Sequence, residues 1–284
     1  DKSVKEVEEL VETALSVGIN AFDLADIYGR GRCEELLGLV LKNRPDLREE
    51  MWIQSKCGIR IEEFTYFDFS KDYIIKSVDG ILQRLKIDHL DSLLLHRPDA
   101  LMESDQVAEA FDLLYKQGKV RNFGVSNQNP MMMELLKKDV KQPLAVNQLQ
   151  LSAAFTPGFE SGFHVNMEDS QAAMRDGSIF EYCKLHDVVI QAWSVLQFGY
   201  FKGNFVGNEK FQALNQVLDR LAIKYGVTSS TIAISWILRY PAKMQAVVGT
   251  TNPKHLREVS QAANFSLTRK EWYEIYLAAG NNLP

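Results

Sequence analysis

Short apolar runs trade places along the chain with segments whose apolar residues recur every three or four positions. The first pattern is that of buried strands, the second that of helices packed on one face. Val4, Val7, Val11 and Ala14 keep helical spacing behind Ser3-x-x-Glu6, a capping-box pattern, and Gly18 stands where that helix would stop. INAFDLA then reads as a short strand, followed by a helix near Cys33–Asn43, the strand MWIQSKC, and a helix from Ser70 carrying Ile74, Val78, Ile81 and Leu85. SLLLH leads to a helix with Val107, Phe111 and Leu114 stopped by Gly118; NFGVSN leads to MMMELLKK; LAVNQLQLS leads through a long irregular stretch to SIFEYCKLH. After VVIQAWSV come two helical segments, one with Leu214, Leu218 and Leu221, the other with Ile232, Trp236 and Ile237 and ended by Pro241. AVVGT, a helix behind Asn252-Pro253 and a last helix opening at Thr268-x-x-Glu271 follow.

The strands end near Asp23, Lys56, His96, Ser126, Gln148, Ser194 and Gly249. Strand–helix alternation at these spacings builds a parallel sheet. The expected class is α/β, a (β/α)8 TIM barrel in one domain over 1–284, with the first strand apparently missing because the chain opens on a helix. No G-x-G-x-x-G joins a strand to a helix, so a Rossmann site is poorly supported. Two loops exceed the usual connector length. GIRIEEFTYFDF carries Phe64, Tyr66, Phe67 and Phe69, and the stretch from Thr156 to Asp176 carries Phe159, Phe163 and His164. Each reads equally as an aromatic mini-core or as a wall of a substrate pocket.

Composition narrows the partners. Apolar residues make up 46% of the 284 and charged ones 24%, with a net charge of −5. That balance argues against a nucleic-acid or anionic-membrane surface and for a small-molecule partner. A polar, acidic start and the lack of any bilayer-length apolar stretch lead us to expect a cytoplasmic protein. Cys33, Cys57 and Cys183 are too few and too scattered for a disulfide framework or a zinc site and are expected to be buried thiols. His89, His96, His164, His186 and His255 show no clustered metal ligands, so no metal is expected.

Four polar residues, Asp23, Tyr28, Lys56 and His96, stand at or just beyond strand ends, where a parallel sheet gathers groups on one rim. A free phenol titrates near ~10, and a neighbouring cation brings its proton within catalytic reach. Lys56 is the candidate cation for Tyr28, and Asp23 the carboxylate that a buried lysine needs. His96 would orient a carbonyl oxygen by donating a hydrogen bond. Taken singly, each has a plain structural reading as cap, packing or satisfied core group.

Together they resemble the catalytic tetrad of the aldo-keto reductase superfamily, of the bacterial oxidoreductase type. GINAFDLADIYGRGRCEELLG is similar to the family's first signature and IIKSVDGILQRLKIDHLDSLLLH to its second, with Leu82, Leu85, Asp88 and Asp91 recurring before His96. The resemblance covers essentially the whole chain. It implies that Ser126, Asn127 and Gln148 hold the nicotinamide carboxamide, that Trp193 stacks on the ring, and that Ser194 to Leu196 runs beside the pyrophosphate. Thr250, Thr251 and His255 would hold the 2′-phosphate and Glu258 would read adenine. Val259 and His255 depart from the residues usual there. The implied activity is NADPH-dependent (NADP+) reduction of aldehyde or ketone carbonyls, with hydride from the nicotinamide and a proton from Tyr28. The competing reading is a nicotinamide-binding regulatory subunit with little turnover; a metal-dependent barrel hydrolase ranks lower.

Overall fold

The seven expected strands fold where the apolar runs stand, but several are shorter than those runs. In the computed structural model, which describes residues 2–62, 65–99, 101–163, 178–199 and 202–281, INAFDLA yields only β1 (Ala21–Asp23), and of AVVGT only Ala246 is strand, as the last residue of β9 (Met244–Ala246), which ends three residues before the expected Gly249. The others are β2 (Trp52–Cys57), β5 (Leu90–Leu95), β6 (Val120–Ser126), β7 (Leu144–Gln150) and β8 (Val189–Trp193). The chain packs as two compact units that meet in sequence between Asn147 and Gln148, within β7.

In the first unit β1, β2, β5 and β6 lie side by side and parallel. Helices α1 (Val4–Ser16), α2 (Arg32–Asn43), α3 (Lys71–Leu85), α4 (Ser104–Lys116) and α5 (Pro130–Lys137) are interspersed among them. The capping box forms as the sequence predicts: the Glu6 N–H donates to Ser3 Oγ and the Ser3 N–H to Glu6 Oε2. Register places Asp23 opposite Gln54 and Gln54 opposite Ser92, with Lys56 opposite Leu94. Side chains alternate along a strand, so Gln54, Lys56, Ser92, Leu94 and His96 share one face with Asp23.

On the other face of β2, the Ser55 hydroxyl donates to the buried Glu34, which also accepts from Arg84 Nε at 2.7 Å, tying α2 and α3 to the strand. Asp91, at the start of β5, accepts the Ile53 N–H and an Arg48 N–H, which joins the early part of β2 to β5.

The loop after Lys56 contains a structure that the hydrophobic pattern does not reveal. It folds as an antiparallel hairpin of β3 (Ile59–Ile61) and β4 (Thr65–Phe67). Arg60 braces it by donating to Asp68 and Glu62 and lying against the rings of Tyr66 and Tyr73. Gly58, at φ +108°, precedes the hairpin; a Cβ there would meet the Phe69 ring at 1.9 Å, so Phe69 is buried against bare backbone. Phe64 lies outside the described residues.

The second unit contains α6 (Pro157–Phe163), α7 (Ile179–Leu185), α8 (Gln212–Tyr225), α9 (Ser229–Leu238), α10 (Pro253–Ser260) and α11 (Arg269–Ala278), with β8 and β9 parallel neighbours. Helix α6 occupies the start of the stretch expected to be irregular. Its Phe159 is buried among Phe180, Trp236, Tyr240 and Trp272, with ring centroids 4.5–5.9 Å away, so this ring belongs to an aromatic core. Trp236 and Trp272 stack at 4.9 Å and each donates its indole N–H to the other's carbonyl. His164 lies outside the described residues. Among the described residues no single helix is long and apolar enough to cross a membrane. Cys57 and Cys183 are buried, but Cys33, on the outer side of α2, is exposed, contrary to expectation.

Candidate active site

Lys56 is fully buried, and an ammonium in that position needs three acceptors. It has them. Its Nζ donates to Asp23 Oδ2 at 2.7 Å, to the Leu24 carbonyl at 2.7 Å and to the Tyr28 hydroxyl at 3.2 Å, and it lies 4.8 Å from the Tyr28 ring centroid. β1 ends on Asp23, the backbone runs on to a 3₁₀ turn at Tyr28–Gly31, and β2 carries Lys56. Because the Tyr28 oxygen accepts from Lys56, its own proton remains available to a group outside. Tyr28 is 37% exposed, the exposed member of this buried set.

His96 follows β5 on the same face as Lys56, and its ring stands edge-on to Tyr28 with centroids 5.8 Å apart. Burial, then the Lys56 and Arg97 charges, pushes the imidazole down from its usual 6.5 to about 3. It is therefore neutral around pH 7, with one ring nitrogen a donor and the other an acceptor. Its Nδ1 is buried with no hydrogen-bond partner among the described residues. The arrangement offers two neutral donors, phenol and imidazole, beside a fixed cation.

Three further groups surround this set, and the sequence reading did not single them out. Gln54 Nε2 donates to Asp23 Oδ1 at 2.7 Å, Ser92 Oγ donates to Gln54 Oε1 at 2.9 Å, and Trp52 Nε1 donates to Ser92 Oγ at 3.1 Å. The available signal was a glutamine two positions before the lysine in an otherwise buried strand, hence on the same face. Asp26 is the other omission. Burial, reinforced by the Glu34 charge, pushes its carboxyl up to about 7, and its Oδ1 is buried without a hydrogen-bond partner among the described residues.

Ser126 ends β6 and is buried, accepting from Asn127 Nδ2 at 3.1 Å. Asn127 takes φ +52°, a left-handed conformation that turns the chain sharply as it leaves the strand. In the second unit Ser194, directly after β8, takes φ +54°. Strain of this kind gathers at sites where the backbone must meet a ligand. Gln148 belongs to a row of amides: its Nε2 donates to Gln191 Oε1 at 3.1 Å, and Gln191 Nε2 donates to Gln245 Oε1 at 2.9 Å. Trp193 ends β8 half-buried, and Leu196 is half-buried beyond it.

The residues expected to meet a phosphate stand around the start of α10. Asn252 caps the helix by accepting the Lys254 N–H, and the Asn252 N–H donates to Thr250 Oγ1, so these two backbone donors are engaged within the turn. Thr251, Lys254, His255 and Arg257 are exposed around it, while Val259 packs inward on the buried side of α10. Glu258 has its carbonyl held by Thr231 Oγ1 at 2.9 Å.

The chain as a whole is similar to known proteins. The chain is 35% identical to the oxidoreductase YdhF of Escherichia coli, over 99% of this chain and 90% of that protein. It is 32% identical to a 6-dehydroglucose reductase of Agrobacterium fabrum, over 98% of this chain and 89% of the other. A solved aldo-keto reductase from Klebsiella pneumoniae in complex with NADPH superposes with a TM-score of 0.74, covering 96% of this chain and 85% of that one at 21% identity. The fold class is therefore α/β of the (β/α)8 type. The model of the aldo/keto reductase family matches residues 2–278, and the chain belongs to that family.

Proposed function

We propose that the protein reduces aldehydes or ketones to alcohols with NADPH. The observation that carries the reading is the Lys56 ammonium, held by Asp23 and Leu24 and donating to Tyr28, with a neutral His96 on the same strand face. A bound nicotinamide would supply the hydride. Tyr28 gives its proton to the carbonyl oxygen, and Lys56 stabilises the charge that grows on the phenol oxygen as the proton leaves. His96 donates a second hydrogen bond to the same carbonyl oxygen. Asp23 balances Lys56, which would otherwise be a lone buried cation.

The donor set in the chain suits this cofactor. In the first unit the Asn127 amide and the Ser126 hydroxyl suit a carboxamide; in the second, taken by itself, the Gln148 amide suits the same kind of group, the half-buried Trp193 offers a stacking face, and Thr251, Lys254, His255 and Arg257 suit a 2′-phosphate. Relatives described as reductases, and a structural neighbour bound to NADPH, favour the same choice. The test is NADPH oxidation followed by absorbance against a panel of aliphatic, aryl and sugar-derived carbonyls. Turnover that disappears in Tyr28→Phe supports the reading. A protein that binds NADPH yet oxidises it with none of these carbonyls would be a nicotinamide-binding regulatory subunit instead.

A further inference from the structure

We propose that Gln54 is a positioning residue for the proton transfer: Trp52 and Ser92 hold its amide in one orientation, and it in turn holds Asp23 so that Lys56 stays on the Tyr28 hydroxyl. The inference rests on the reading of Tyr28 as proton donor.

Strand register makes the row possible. Asp23, Gln54 and Ser92 are lateral partners on β1, β2 and β5, so their side chains leave one face side by side. Hydrogen-bond chemistry then sets its direction. The indole Nε1–H of Trp52 can only donate, and it donates to Ser92 Oγ. The Ser92 hydrogen is therefore directed at Gln54 Oε1, which leaves Gln54 Nε2 facing Asp23 Oδ1. A flipped amide would set two acceptor oxygens against each other at 2.7 Å and leave the serine hydrogen with no acceptor at Gln54. Both carboxylate oxygens of Asp23 are thus engaged from opposite sides, Oδ1 by Gln54 and Oδ2 by Lys56.

Gln54 is buried at 2% exposure, and an aliphatic side chain would pack there at no desolvation cost. A polar row in this place fixes the rotation of the Asp23 carboxylate. With Oδ1 released, the carboxylate can turn and take Lys56 off the line to Tyr28. Lys56 matters most when charge develops on the phenol oxygen, so the loss belongs to the transition state and not to substrate or cofactor binding.

The experiment compares wild type with Gln54→Met, similar in length but without polar atoms, Gln54→Glu, of matching shape but with an oxygen in place of the donor, and Ser92→Ala. The readouts are kcat and KM for a reducible carbonyl, NADPH affinity by fluorescence quenching, and melting temperature. We expect kcat to fall about tenfold in Gln54→Met, from lost alignment, with KM and NADPH affinity within about twofold of wild type. Gln54→Glu should lose more than Gln54→Met despite its closer shape. Ser92→Ala, which leaves the glutamine in place, should lose kcat in the same direction, and adding it to Gln54→Met should change little, as for members of one chain. Wild-type kcat in both Gln54 variants, or losses that follow KM and melting temperature instead of kcat, would overturn the inference while leaving the functional reading intact. A wild type that turns over no carbonyl would overturn the functional reading and this inference with it.

Discussion

Both units carry a row of hydrogen-bonded side chains linking neighbouring strands, but the two rows end differently. In the first unit the row runs Trp52, Ser92, Gln54, Asp23 and continues through Lys56 to Tyr28, so it ends in an ion pair and an ionisable hydroxyl. In the second, Gln148, Gln191 and Gln245 form a head-to-tail series of neutral amides. A buried charge left without its partner costs several kcal/mol, whereas an amide that loses one bond costs about 1–3 kcal/mol. The first row is suited to moving a proton and the second to holding a neutral polar ligand, and the first should be far less tolerant of substitution.

The largest effect should come from Lys56→Met. It removes the cation behind Tyr28 and strands Asp23, so it should cost about 3–5 kcal/mol of stability and most of the turnover. Tyr28→Phe keeps the ring and deletes the proton, so single-turnover hydride transfer should slow by roughly 10²–10⁴ while NADPH affinity changes only a few-fold. A Tyr28→Phe rate near wild type would place the proton donor elsewhere and erase the contrast between the rows.

The next test uses pH, because two buried groups in the first unit act in opposite directions. Asp26 titrates at about 7 instead of its usual 3.8, so the folded state holds a proton that the unfolded state has released. Its contribution to stability is therefore lost as pH rises from about 4 to 7. His96 titrates at about 3 instead of 6.5, so the unfolded state binds the extra proton, and stability is lost as pH falls from 6.5 towards 3. Thermal melts should show that Asp26→Asn destabilises more steeply than wild type on acidification through this range. His96→Asn should destabilise more steeply on raising the pH from about 4 to 7. Parallel melting curves for all three proteins would mean that neither group is held as described.

Smaller effects are expected in the second unit. Gln191→Leu leaves the Gln148 and Gln245 amides each short of a partner, and we expect NADPH affinity to weaken several-fold, within the ~1–3 kcal/mol of such losses, with kcat nearly unchanged. A kcat loss as large as that of Gln54→Met would make the two rows equivalent. Smallest of all, the pair Lys254→Ala/His255→Ala should narrow the preference for NADPH over NADH by up to roughly tenfold, since each exposed charge contributes ~0.3–1 kcal/mol. An unchanged ratio would remove this turn from cofactor selection.

Local pattern determined much of this protein. Apolar runs placed the parallel strands, helical spacing placed most helices, and Ser3 with Glu6 and Thr268 with Glu271 formed the capping boxes their spacing announces. Asp23, Tyr28, Lys56 and His96 were legible because strand ends and composite motifs are local features, written in neighbouring residues. The β3–β4 hairpin was not, since its apolar and charged positions form no clean alternation until Arg60 is paired with Asp68 and Tyr66. Phe159 read equally as pocket or core because an aromatic residue behaves alike in both; the rings of Phe180, Trp236 and Trp272, distant in sequence, decided for the core. Gln54 shows the same limit within the site. Its face follows from the two-residue period of β2, but its function requires the register that sets it between Asp23 and Ser92. That register depends on which strands pair and how far each slides, a choice made by the packing of whole elements and not by the residues beside Gln54 in the chain.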